Sequence, residues 1–169
     1  MIGGRAAGAV RGLALALMFG SRLALAADAT DAGATFLQKA AQANAAEIKT
    51  SQVAQTRAVD PAVKALADRM VDEHTANEHA LEALAKKRNV AVGADPDADR
   101  VIRIGSLQKL EGLEFDRVYV KTMVEDHAAA VALFEQASGA IDDADIRQFI
   151  DATLPVLREH AEAARKLSR

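Results

Sequence analysis

Cysteine and tryptophan are absent from this sequence, tyrosine occurs once, and aromatic residues make up only 4% of it. Without cysteine there is no disulfide, thiolate ligand, cysteine nucleophile or lipid-modified leader, so stability has to come from packing. The scarcity of rings leaves little to stack on nucleic-acid bases, and no basic stripe runs through the chain; nucleic-acid binding is not expected. No serine stands in a Gly-x-Ser-x-Gly setting, and no glycine-rich phosphate cradle is present. Only three prolines occur, and alanine is abundant, a composition that favours helix.

The N-terminus carries Arg5 and Arg11, an apolar run from Leu13 to Phe19, and Ala24 and Ala26 in an A-x-A arrangement. This pattern predicts a signal peptide over residues 1–26, cleaved after Ala26 or Ala27. The apolar run is well short of the roughly 20 residues a spanning helix needs, so no transmembrane anchor is expected after cleavage. Loss of Arg5, Arg11 and Arg22 takes the formal charge from −3 to −6. Residues 27–169 are then expected to form one periplasmic or secreted domain, with its core over about 32–167.

Apolar residues recur at spacings of three and four, the mark of amphipathic helices. The first helix is expected from about Ala32 to Arg57, capped by Thr30 or Asp31, and the second from Pro61 to about Arg88, capped by Asp60. "NVAVGADPDAD" reads as the longest loop, followed by a shorter helix over about Asp97 to Leu110. Gly112 is placed to kink the chain or restart the helix before the third main helix, Leu113 to Ser138. Asp142 and Asp143 are positioned to cap a last helix ending near Leu167, with Pro155 inside it. Lys86, Lys87 and Arg88 suit the second helix's C-terminal dipole. The expected fold is an all-α antiparallel four-helix bundle, up-down-up-down in chain order, with an extra short helix before the third main one.

Two segments resemble each other, "MVDEH" at Met70–His74 and "MVEDH" at Met123–His127, and "LREH" at Leu157–His160 is a weaker echo. Helical period places His74 in line with Val63, Leu66, Met70, Asn77, Leu81 and Leu84, His127 in line with Phe115, Tyr119, Met123 and Phe134, and His160 in line with Ile146, Ile150, Thr153 and Leu157. All three histidines are thus expected to face inward, each of the first two with a methionine one turn before it. Glu73, Asp126 and Glu159 precede them and are turned by about 100°, so they should flank the inward line. Asp72 and Glu125 should be solvated, and His79, off the main line, should be exposed or interfacial. In the first helix Glu47 falls at the interior or its edge, because a line through Phe36, Ala40, Asn44 and Ser51 competes with one through Leu37, Ala41 and Ile48.

A histidine on an apolar stripe is commonly a core residue whose nitrogens are hydrogen-bonded, and methionine is a common filler of core gaps. Three converging imidazoles with Glu47 would equally suit a transition metal, zinc, iron or copper, with methionine tilting the choice toward Cu(I). Three functions follow in order, the first leading and the others its alternatives. One is a non-enzymatic periplasmic bundle, stress-related, in which histidines and carboxylates form a structural network or a small-ligand site. Another is a metal-binding module built on His74, His127, His160 and Glu47. The last is a redox enzyme with an unconventional metal centre.

The segments "FLQKAAQANAAEIKTSQVA", "VKALADRMVDEHTANEHALEALAKKR", "EFDRVYVKTMVEDHAAAVALFEQA" and "TLPVLREHAEAA", taken in order, resemble the bacterial family called domain of unknown function 4142. The resemblance covers about Phe36 to Ala164 and implies a secreted, usually periplasmic, ferritin-like bundle without a settled activity. The family pattern maps onto Glu47, His74, Tyr119, Asp126, His127, Phe134, Leu154, Pro155, Arg158 and His160. Ferritin-like di-iron proteins carry Glu-x-x-His on two helices. This chain has no such motif, because each acid adjoins its histidine, and a conventional di-iron centre is not implied.

Overall fold

The computed structural model describes the backbone from Phe19 to Arg169 and side chains from Ala32 onward. Residues 1–18 of the expected leader lie outside the described residues. Five helices follow in order: α1 Phe19–Arg57, α2 Pro61–Lys87, α3 Ala98–Leu107, α4 Gly112–Ala140 and α5 Ala144–Leu167. Among the described residues, no helix is long and apolar enough to cross a membrane.

Most boundaries follow from local chemistry. Asp60 caps α2 by accepting from the Ala62 amide, with Pro61 at the first helical position. Asp143 caps α5 by accepting from the amides of Asp145 and Ile146. Asn89 takes the left-handed conformation just past α2, and Gly112 takes it (φ 61°) where α4 begins. The basic end of α2 does more than complement a dipole: Arg88 pairs with Asp143 and Asp145, and Lys87 lies 2.8 Å from Asp145, so α2 is tied to the start of α5. α5 runs through Pro155, which leaves the Asp151 carbonyl without its helical amide partner; both residues are exposed.

α1 differs from expectation. Thr30 and Asp31 do not cap it; the helix continues back through them to Phe19. "LALAADATDAGAT" holds no proline, and its alanines and leucines carry the helix through two residues that would otherwise suit a cap.

The four long helices pack in a ring, α1 on α2, α2 on α5, α5 on α4 and α4 on α1. Two apolar clusters show their directions. The upper one joins Phe36 and Leu37 of α1, Leu81 and Leu84 of α2, Phe134 of α4 and Ile146 and Phe149 of α5. The lower one joins Ala54, Val63, Met70, Phe115, Tyr119, Met123 and Ala164. α1 and α5 therefore descend while α2 and α4 ascend. Every adjacent pair is antiparallel, but the chain order is not up-down-up-down: α2 and α4 are parallel and diagonal. The segment from Arg88 to Glu111, with α3 inside it, returns the chain to the lower end along α1. Gln38 bonds the Ala91 carbonyl, Lys49 lies 2.7 Å from Asp95, and Arg57 bonds the Leu110 carbonyl, marking that descent. One long crossover of this kind is the ferritin-like arrangement. It also explains why both competing lines of α1 are buried: α2 and α4 cover one side, and the crossover covers part of another.

At the lower end Asp116 of α4 is buried and accepts from the backbone amides of Val59 and Asp60, at 3.1 and 2.8 Å, fixing the turn between α1 and α2. Replacing Asp116 with alanine leaves these two amides without their acceptor. Asp116→Ala is expected to lower unfolding free energy by about 1–3 kcal/mol, read from urea denaturation, with Asp116→Asn recovering part of the loss.

Candidate functional site

Between the two apolar clusters lies a polar layer at mid-bundle. α2 supplies His74 and Asn77, α4 His127, α5 His160 and Thr153, and α1 Asn44, Glu47 and Ser51; all three histidines are buried, and His127 has no exposed surface. Helical period alone put each histidine inward. The parallel, diagonal placement of α2 and α4, with α5 between them, puts all three at one height.

Each ring is anchored on its outer side by a group that can only accept. His127 Nδ1 lies 2.9 Å from the Met123 carbonyl oxygen. His160 Nε2 lies 2.7 Å from Glu73 Oε2. His74 Nδ1 lies 2.9 Å from Asn44 Oδ1. The orientation of Asn44 follows from its neighbours: its amide nitrogen donates to the His74 carbonyl at 2.9 Å, and Asn77 donates to its oxygen at 3.0 Å. The Asn77 oxygen in turn accepts from Thr153 at 3.3 Å. Each outer ring nitrogen is therefore the N–H donor, and in a neutral imidazole the other nitrogen then holds a lone pair.

The three inner nitrogens face one another. His74 Nε2 is 3.4 Å from His127 Nε2, and His127 Nε2 is 3.3 Å from His160 Nδ1. One ligand atom from each ring lies within 4.8 Å of the other two, and this is a group of the kind that could hold a metal ion. With outer protons fixed, these contacts bring lone pair against lone pair. A cation at the centre would relieve that repulsion.

Electrostatics keeps the rings neutral. Burial, reinforced by His127 and His160, drives the pKa of His74 well below its ordinary value. Burial and then His160 bring His127 from 6.5 to about 4. Burial also lowers His160, although Glu73 pulls it the other way. Glu73 is itself held below the usual carboxylate range, first by its hydrogen bond from Arg69, at 2.8 Å, so it accepts as an ion. Arg69 also reaches Glu159 at 3.1 Å.

The remaining expected residues divide. Glu47 is buried, with Oε1 3.7 Å from His127 Nδ1, and it is not one of the converging group. Burial, and then the charge of Asp126, pushes its pKa well up, against the pull of Arg100 and Arg103. Asp126 pairs with Arg103 of α3 at 2.9 Å, linking the crossover to α4. Met70 and Met123 pack in the lower apolar cluster, and the Met123 sulfur stands 4.0 Å from Ser51 Oγ. Tyr119 is buried beneath the layer and bonds Ser51 at 3.0 Å. Arg158 is exposed and pairs with Glu135 on the surface. His79, Asp72 and Glu125 are exposed, as their positions on the helices require. Asn44 and Arg69 were not expected at the site. Asn44 had a signal in the sequence, an amide on an inward line, and Arg69 had one in its i,i+4 spacing to Glu73, through which it acts.

A family model described as domain of unknown function (DUF4142) matches residues 21–167. The chain belongs to the DUF4142 family. Solved structures similar to this DUF4142 chain include a DUF305 fragment from Deinococcus radiodurans, with TM-score 0.71 and 16% identity over 81% of this chain and 95% of that one. A DUF305 protein from Streptomyces coelicolor aligns with TM-score 0.69 and 14% identity over 80% of this chain and 89% of its own. At these identities the likeness is one of fold. No curated protein matches the sequence.

The pKa directions give opposed pH dependences. Histidines whose pKa is depressed by folding leave the unfolded state with more bound protons below pH 6.5, so their contribution is full above 6.5 and is lost as pH falls toward about 4. Glu47 works in reverse: its raised pKa keeps a proton on the folded state above 4.5, so its contribution declines as pH rises through that value. In metal-free Glu47→Gln protein, stability is expected to fall on acidification from pH 6.5 to about 4, by on the order of 3 kcal/mol from His127 alone. The difference between Glu47→Gln and the unaltered chain should grow in favour of the variant as pH rises above 4.5. Urea denaturation across this range reads both.

Proposed function

We propose that this DUF4142 protein is a metal-binding module whose centre is His74, His127 and His160. The observation that carries this function is the convergence of three unprotonated ring nitrogens, each with its partner nitrogen held by a fixed acceptor. A metal site needs neutral imidazoles, oriented rings and outer partners that hold the second ring nitrogen. The spacing is apt as well. Ligands about 2.0–2.1 Å from a tetrahedral ion stand about 3.3 Å apart, and two of the three nitrogen pairs lie at 3.4 and 3.3 Å.

An all-nitrogen donor set suits zinc or Cu(II) in preference to Cu(I), since the methionine sulfurs belong to the lower apolar cluster. A purely structural histidine network accounts less well for the same geometry, because it would turn one N–H inward between two rings and set that ring's outer lone pair against an oxygen that can only accept. The N-terminal pattern of residues 1–26 supports export, which would place the module outside the cytoplasm.

Protein purified without chelator and loaded with zinc or Cu(II) should hold one ion per chain by elemental analysis. The triple substitution of His74, His127 and His160 by alanine should abolish binding. Glu73→Gln and Asn44→Leu, which alter the outer partners, should weaken affinity by roughly 10- to 100-fold while the fold persists by circular dichroism. Absence of metal from folded, unaltered protein after loading with zinc and Cu(II) would refute the proposal.

A further inference from the structure

Three imidazoles do not saturate a transition ion. Zinc in an open site takes three protein ligands and a fourth from solvent or substrate, and Cu(II) accepts four or more. Among the described residues no carboxylate or further histidine joins the group of three. The centre has a neighbour instead. A cavity of about 20 Å³ is lined by His74, His127, Asn44, Asn77 and Glu47, with Phe134 and Leu157 as apolar wall. A space of about 10–15 Å³ already holds one water. Glu47 is 5% exposed, and its Oε2 is a buried oxygen without any hydrogen-bond partner.

We infer that the metal's fourth position opens into this cavity and takes a small exchangeable ligand, water in the resting centre, which Glu47 Oε2 hydrogen-bonds. This inference rests on the three-histidine centre proposed above. Three observations converge on it: an incomplete donor set, a space of one-water size bordered by two of the ligand rings, and a buried carboxyl oxygen that lacks a partner. Arg100 and Asp126 border the same cavity on the side of the α3 crossover, so α3 covers the side by which the ligand would exchange. The size of the space sets the class of ligand: water, hydroxide or a monoatomic anion fits, and larger anions do not.

Cu(II)-loaded full chain provides the test, with electron paramagnetic resonance as the readout and fluoride as the probe. Water enriched in the magnetic oxygen isotope should broaden the copper lines, and fluoride should add a splitting from its own nucleus that saturates with concentration. Glu47→Leu removes the hydrogen-bonding oxygen, and fluoride should then bind about tenfold more weakly. If copper binds through the three histidines and its spectrum ignores both labelled water and fluoride, the coordination is closed and the inference fails while the three-histidine centre stands. Loss of copper in Glu47→Leu together with fluoride-insensitivity in the unaltered chain would make Glu47 the fourth ligand and overturn it. Failure of the unaltered chain to bind copper or zinc would remove both.

Discussion

The outer hydrogen bond of each histidine governs what the middle of this bundle can be. Met123 carbonyl, Glu73 carboxylate and Asn44 amide oxygen each take the proton of one ring nitrogen. The tautomers are then set from outside, and the inner nitrogens present lone pairs to one another at 3.3–3.4 Å. The rings cannot all neutralise that repulsion among themselves without abandoning an acceptor. A polar layer between two apolar clusters is costly to leave unpaired, and its pairing scheme points inward to a cation.

The helices serve that layer in different ways. α2, α4 and α5 each give a ring, whereas α1 gives side chains that hold and surround them: Asn44 orients His74, Glu47 stands beside His127, and Ser51 hydrogen-bonds with Tyr119 below. The anchors differ in exposure. Met123 and Asn44 are buried, but Glu73 is half-exposed and is clamped by Arg69 at the surface. His160 is therefore the ring whose outer partner communicates with solvent. The crossover lies on the opposite side of the layer, where Arg103 and Asp126 join it to α4.

Much of this was legible in the chain. The spacing of three and four residues placed Met70 and His74, Met123 and His127, and Leu157 and His160 on inward lines, and all six are buried. The turn of about 100° per residue placed Glu73, Asp126 and Glu159 to the side, where they are found paired with Arg69 or Arg103. Capping by Asp60 and Asp143 was equally local. The chain order of directions was not legible, because short connections make antiparallel neighbours but a segment as long as Arg88 to Glu111 can either turn or cross over. The role of Asp116 was hidden for a related reason, since it acts on residues distant in sequence, Val59 and Asp60; Arg69 pairs locally with Glu73, but Glu73 meets His160 only across the bundle.

The sequence by itself determined five helices, most of their caps, the inward face of each and the identity of the buried histidines, since these depend on residues within a turn or two of one another. Only the tertiary structure decided that α2 and α4 run parallel across a diagonal with α5 between them. That arrangement brings His74, His127 and His160 to one level, gives each ring its acceptor from a neighbouring turn or helix, and sets Glu47 beside the ring of His127 instead of among the converging nitrogens. Such relations are fixed by packing between elements far apart in the chain, and no local period carries them.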